Sequence, residues 1–201
     1  MNSREKGKRG ERQWRDELRA NGYAARRGQQ FSGSPDSPDV ICDGLPWAHF
    51  EVKLVERLDL YAAMDQARRD SGGKAPFVAH RRNFWPWLVT MDADRFYRLL
   101  KVDLTGEWAE RMASGSPGAV FAGLPWALGQ VHEGKRLGVH DAMAEARRSA
   151  GRRVALVAHR RVAAPPAYGG RWLITMTAKS FFNFLRGVLP PEGKKQTKQT
   201  K

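Results

Sequence analysis

Two short charged stretches carry the chemistry this chain could do: Asp39 within Pro38-Asp39-Val40, and the carboxylate and ammonium of Glu51-Val52-Lys53. Side chains alternate faces along a strand, so Glu51 and Lys53 share one face and Val52 takes the other. Asp39 can sit beside them on a neighbouring strand. Carboxylate oxygens are hard ligands suited to magnesium or manganese, and Mg²⁺ is commonly held by one or two of them while its other positions stay open to water and phosphate. Such a metal polarises a phosphoryl oxygen and lowers the pKa of a bound water, and a nearby lysine can orient that water or stabilise the charge that develops. A plain salt bridge on an exposed strand face would produce the same three letters.

The apolar runs Val40-Ile41-Cys42 and Phe50 to Val55 flank these charges, and Asp43-Gly44-Leu45-Pro46 between them reads as the turn of a hairpin. Ahead of it, a helical pattern runs from about residue 6 to 21, with Trp14 and Leu18 on its apolar stripe and Gly22 as its C-cap. Glu11 falls on or beside that stripe. It is either a compensated member of the charged cluster or a stripe-edge residue reaching water, and the pattern by itself favours the second. A short strand is expected from Tyr23 to Arg27, then a polar loop from Gly28 to Ser37. Arg26, Arg27, Ser32 and Ser34 suit phosphate contacts, and Ser and Gly are equally ordinary turn residues.

After Lys53, the spacing of Leu60, Ala63, Met64 and Ala67 predicts an amphipathic helix over about 58–70, whose other face shows Asp65, Gln66, Arg68 and Arg69. Strands are expected at 76–80 and 87–91, and a helix at 92–100 with Asp92 as N-cap. The order describes an α/β domain, a mixed sheet covered by helices.

The chain has 201 residues, with 35 Lys and Arg against 21 Asp and Glu, a formal charge of +14. That balance calls for a polyanionic partner, with nucleic acid foremost and an anionic membrane surface as the rival. No apolar run is long enough to span a bilayer and no hydrophobic signal segment opens the sequence, so a cytoplasmic protein with no membrane partner is expected. The lone Cys42 excludes an internal disulfide and a cysteine-rich zinc site, and its apolar neighbours predict a buried thiol. Residues 1–100 carry 18 basic and 14 acidic side chains; residues 101–201 carry 17 and 7.

The second half repeats the first. Gly44 to Arg82 aligns without gaps to Gly123 to Arg161 at an offset of 79, with 19 of 39 positions identical. Val78-Ala79-His80-Arg81-Arg82 recurs as Val157-Ala158-His159-Arg160-Arg161. The helix face recurs as Val139, Ala142, Met143 and Ala146. Beyond an insertion around Pro165-Pro166, Trp87 to Met91 recurs as Trp172 to Met176, followed by a helix to about Leu185. The charged positions do not survive: Glu51 is matched by Gln130, Lys53 by His132, and Asp39 by Gly118 if the register extends that far. Arg81, Arg82, Arg160 and Arg161 end strands, where they either contact phosphates or cap strand ends in solvent. No second His or Cys lies near His132 at zinc-ligand spacing.

Taken together, Lys6-Gly7, Glu11-Arg12, Gly22-Tyr23, Arg26, Ser32-Gly33, Pro38-Asp39-Val40 and Glu51-Val52-Lys53 resemble the PD-(D/E)XK nuclease superfamily, and within it the archaeal-type Holliday junction resolvases and their phage and bacterial relatives. The resemblance covers roughly residues 4 to 100. It implies a restriction-endonuclease-like core and a Mg²⁺-dependent, or Mn²⁺-dependent, endodeoxyribonuclease. Glu11, Asp39 and Glu51 would be metal ligands, Lys53 would assist the attacking water, and Gln66 would be a further catalytic residue. Arg12, Arg26, Arg27, Ser32, Arg68, Arg81, Arg82, Arg160 and Arg161 would contact DNA, branched or junction DNA above all. Such resolvases act as homodimers nicking two strands of a four-way junction. The expected organisation is a nuclease domain over 1–102, a linker over 103–118, a degenerate partial repeat over 119–189 serving as DNA-binding or pseudo-dimer module, and a basic disordered tail over 190–201. A homodimer and an internal pseudo-dimer both stand, as do two alternatives: a non-catalytic DNA-binding protein on the same scaffold, and a nuclease of this superfamily acting on another nucleic acid.

Overall fold

The computed structural model describes residues 3–28, 38–100, 120–121, 123–134, 136–161 and 171–189. The expected linker and basic tail, Ser32, Ser34, Gly118 and the Pro165-Pro166 insertion lie outside them. The chain opens on helix α1 (Ser3–Ala20) and continues through strands β1 (Ala25–Arg27), β2 (Val40–Cys42) and β3 (Ala48–Leu54). Then come helix α2 (Leu60–Asp70), strands β4 (Ala75–Arg81) and β5 (Leu88–Asp92), and helix α3 (Ala93–Leu99). The second half supplies β6 (Ala127–Glu133), α4 (Val139–Ala150), β7 (Val154–Arg160), β8 (Leu173–Thr177) and α5 (Ala178–Leu185).

The eight strands form one mixed sheet in the order β1-β2-β3-β4-β5-β8-β7-β6. Each half contributes one parallel pair, β3 with β4 and β6 with β7, each joined by a crossover helix. The other pairings are antiparallel, including β2 with β3, the expected hairpin, and β5 with β8, which joins the halves. At that seam Thr90 stands opposite Thr175, its own counterpart in the aligned sequences. Their hydroxyls hydrogen-bond at 2.6 Å in the buried interior, and His80 Nε2 lies 2.9 Å from Thr90 Oγ1.

The alternation within strands sorts side chains onto two layers. Phe50, Phe77, Val89, Ile174 and Met176 face α1, α3 and α5 in one large core. There Trp14 is fully buried and packs on Phe50, Trp87 and Phe182, so the first helix of the chain also touches the last. The apolar stripe of α2 covers Val78, and Ala142, Met143 and Ala146 of α4 cover Val157 on the opposite face.

Two local features place α1. Gly22, at φ +88°, ends it with a backbone bond from the Tyr23 N–H to the Leu18 carbonyl, the role expected of a C-cap glycine. Gly10 lets it lie against β3, because a Cβ there would come within 2.9 Å of the Leu54 Cβ. That close approach brings Glu11 to the edge of β1, where Arg27 meets it.

Candidate active site

Glu51 and Lys53 point from the middle of β3 toward α2, as strand alternation requires. Glu51 is 4% exposed, and its Oε1 lies 2.5 Å from Lys53 Nζ. Lys53 also donates to Gln66 Oε1 at 2.9 Å, so a side chain one helical turn from the end of α2 fixes the ammonium. Asp39, just ahead of β2, reaches across the hairpin and accepts the Val52 N–H at 3.0 Å through Oδ2. Asp39, Glu51, Lys53 and Gln66 are thus brought together by one strand, one helix and one turn.

Burial raises the Glu51 carboxyl from 4.5 to about 7, and the neighbouring Asp39 carboxylate adds to the effect against the opposing Lys53. The Asp39 carboxyl is also raised, first by burial, with Glu11 and Asp70 adding and the Val52 N–H and Lys53 opposing. The two half-dry carboxyls push each other toward the neutral form, and the one ammonium of Lys53 leaves them short of positive charge. A divalent cation would supply it, and their hard oxygens suit magnesium or manganese. Asp39 and Glu51 therefore fit such an ion.

Glu11 stands apart from that pair: its Oε2 accepts from Arg27 Nε at 2.8 Å and Nη2 at 2.6 Å. It acts on Asp39 through its field while its nearest partner is a guanidinium. Among the described residues, no group of three or more His, Cys, Asp or Glu side chains is arranged to hold a metal. The carboxylates that could hold an ion here are those of Asp39 and Glu51.

The arginines expected at DNA divide by partner. Arg12 is exposed on α1. Arg26 is exposed on β1 and lies 3.7 Å from Asp43. Arg27 is engaged by Glu11. Arg68 is held by Asp65 at 2.6 Å and Asp92 at 2.5 Å. Asp92 sits at the N-cap position of α3, as expected, but its side chain makes no cap bond because Arg68 takes it.

Arg82 donates bidentately to Asp141 at the start of α4, and Arg161 bonds Asp59 at the start of α2. Both arginines line a cavity of about 460 Å³ at the junction of the halves. Arg81 lies over Trp87 and Arg160 over Trp172, while Arg160 also pairs with Glu133. His80 and His159 are buried within their strand ends, while the arginines beside them are half-buried.

Three features escaped the sequence reading. His49, 2% exposed, sits two residues before Glu51 on the same face, where burial lowers its pKa. Asp70, one turn beyond Gln66 on α2, adds its field to Asp39, Glu51 and His49. The i, i+2 spacing on β3 and the i, i+4 spacing on α2 were the available signals. In the second half, Arg147, Arg152, Arg153 and Lys179 gather with Arg81 around a cavity of about 810 Å³. Arg147 corresponds to Arg68, whose acidic partners are replaced there by Ala144 and Thr177.

No protein-family model matches the chain, and no curated protein matches it. One solved structure that it resembles is Hjc, a Holliday junction resolvase from the archaeal hyperthermophile Archaeoglobus fulgidus. The identity is 27%, the alignment covers 42% of this chain and 70% of the other, and the TM-score is 0.31.

Proposed function

We propose that this chain is a metal-dependent DNA endonuclease of the PD-(D/E)XK kind, acting on branched DNA in the manner of a junction resolvase. The observation that carries this reading is the meeting of Asp39, Glu51 and Lys53 in one partly buried cluster, with the Glu51 carboxyl raised to about 7. Perturbed ionisable groups gathered at a sheet's polar face are what hydrolytic chemistry uses.

Asp39 and Glu51 would hold a divalent ion, which when bound supplies positive charge to the phosphate and acidifies water. The Val52 N–H fixes one Asp39 oxygen, and Lys53 lies against Glu51. Lys53, anchored by Gln66, projects its ammonium beside Glu51. There it orients the attacking water and stabilises the extra negative charge on phosphorus's oxygens. Arg27 holds the Glu11 side chain in place, close enough to shape the field at Asp39. Exposed Arg12 and Arg26 lie on α1 and β1 and suit phosphate contacts. In this scheme residues 119–189 are a catalytically degenerate copy of the core, held against the first as a pseudo-dimer module with a basic surface around Arg147, Arg152 and Arg153.

The second reading, a non-catalytic DNA-binding protein, draws on the ion pairs that already occupy Glu51 and Glu11. Labelled four-way junction, linear duplex and single strand, each incubated with Mg²⁺ or with EDTA, separate the two. Cleavage of the junction in Mg²⁺, abolished by EDTA, is expected. Tight junction binding without cleavage in Mg²⁺ or Mn²⁺ would establish the scaffold reading instead.

A further inference from the structure

The halves meet at the β5/β8 seam as two subunits related by a two-fold axis would. In the aligned sequences Val89 corresponds to Ile174 and Met91 to Met176, and the observed pairs are Val89 with Met176 and Met91 with Ile174. Residue i meets j, and the counterpart of j meets the counterpart of i, which defines an isologous contact. Thr90 opposite Thr175 lies on the axis.

One ring contact beside the axis obeys the same rule. Tyr61 packs on His159 with ring centroids 5.0 Å apart, and its counterpart His140 packs on His80 at 5.1 Å. The arginines cross in the same sense but to acids at different positions: Arg82 bonds Asp141 near the start of α4, and its counterpart Arg161 bonds Asp59, three residues before the counterpart of Asp141, near the start of α2. The edge of β5 that a second chain would need for such a contact is already filled by β8.

Among the described residues, only one side of this axis has a complete reactive cluster. Opposite Glu51 stands Gln130, whose buried Oε1 has no hydrogen-bond partner among the described residues, and opposite Lys53 stands His132, whose Nε2 is likewise buried and unpartnered. Residues 111–132 contain no Asp or Glu at all, so nothing there can replace Asp39. Gln66 is matched by Glu145, which is exposed.

Granting the nuclease function proposed above, we infer that one chain is a self-contained pseudo-dimer with a single reactive centre, which cuts one strand per encounter and leaves a nick instead of a paired break. In that cut a water oxygen bonds to phosphorus while the bond from phosphorus to the leaving deoxyribose oxygen breaks. The water's proton passes to solvent and the leaving oxygen takes one up. The second half contributes grip and symmetry, not a second cut.

The test uses the full chain and a supercoiled plasmid with an extruded inverted repeat, which offers a four-way junction. Paired cuts within one complex linearise that plasmid, and a single cut relaxes it to a nicked circle. With protein in excess and Mg²⁺ present, nicked circle is expected as the early product, with linear DNA appearing only later and from it. Linear DNA rising from the first time points alongside nicked circle would overturn the inference and leave the nuclease function standing. No cutting in Mg²⁺ or Mn²⁺ would overturn both. His132→Ala is expected to nick at the wild-type rate; loss of cutting in that variant with an unchanged melting temperature would give the second half a reactive role and contradict the single centre.

Discussion

The two halves share a scaffold and differ in their polar interior. Leu60, Ala63, Met64 and Ala67 of α2 are buried, and so are Val139, Ala142, Met143 and Ala146 of α4. Each helix crosses from one strand of a parallel pair to the other, and each half continues into an antiparallel strand and a helix. The face of β3 and α2 that gathers His49, Glu51, Lys53, Gln66 and Asp70 is matched by Leu128, Gln130, His132, Glu145 and Ser149.

Packing positions were kept and each polar position of the cluster was exchanged. A cluster that served only the fold would be expected to persist with the fold. The other layer shows what an exchange looks like when packing is at stake. Phe50 is matched by Gly129, and the ring of Phe121 occupies the space that a side chain on Gly129 would need. The lost aromatic was replaced from elsewhere in the chain; the places of Glu51 and Lys53 hold Gln130 and His132, whose buried Oε1 and Nε2 have no hydrogen-bond partner among the described residues.

The comparison can be strained first through the core. Trp14 belongs to the first half yet packs on Phe182 of the second. Trp14→Ala should destabilise the whole chain by about 3–5 kcal/mol, read as one shifted transition in chemical denaturation. Two separated transitions would mean that the halves unfold independently.

A second test reads the charge cluster without any substrate. The folded chain holds the Glu51 proton up to about pH 7, whereas an ordinary glutamate releases it near 4.5. The contribution of Glu51 to stability is therefore full below pH 4.5 and is lost as the pH rises through 7, and the raised Asp39 acts with the same sign. In EDTA at pH 8, Glu51→Gln should be more stable than the wild type by on the order of 3 kcal/mol, at about 1.36 kcal/mol per pH unit. The difference should vanish below pH 4.5. Adding Mg²⁺ at pH 8 should raise the wild-type melting temperature and leave that of the variant unchanged. A Gln130→Leu control should show neither dependence.

The seam carries a smaller effect. Thr90→Val removes the hydroxyl that joins His80 to Thr175 and should cost about 1–3 kcal/mol, because it strands buried polar atoms. The double replacement Thr90→Val, Thr175→Val should cost less than twice the single one, as a double-mutant cycle on thermal unfolding would register. Smallest of all, Arg82→Ala and Arg161→Ala should each lose up to about 1 kcal/mol, since their carboxylate partners are exposed. Similar values for the two would support the two-fold correspondence, and a large inequality would weaken it.

Much of this scaffold was legible because periodicity and punctuation act locally. The hairpin of β2 and β3, the stripe of α2 and the Gly22 stop follow from residue type and spacing, and Cys42 is buried as its apolar neighbours implied. Strand alternation was enough to bring Glu51 and Lys53 to one face. Pairings set by tertiary approach were not legible. Arg27 on Glu11, Arg68 on Asp92, and Arg82 and Arg161 across the seam depend on which elements meet. A basic residue in a sequence looks alike whether its partner is a phosphate or a carboxylate. The β5/β8 pairing was hidden for the same reason, since a repeat announces two similar units and not how they join. His49 and Asp70 were readable in hindsight from spacing, but a single His on an apolar strand is more often a packed residue than a functional one.

We propose that Asp39, Glu51 and Lys53 serve a reaction that their counterparts do not. The most direct test of this proposal is the initial rate of four-way junction cleavage in Mg²⁺, measured side by side for the wild type, Lys53→Ala and Gln130→Ala with matched melting temperatures. Lys53→Ala should lose roughly 10²–10³-fold while Gln130→Ala stays at the wild-type rate. Equal losses in the two variants, or none in either, would contradict it.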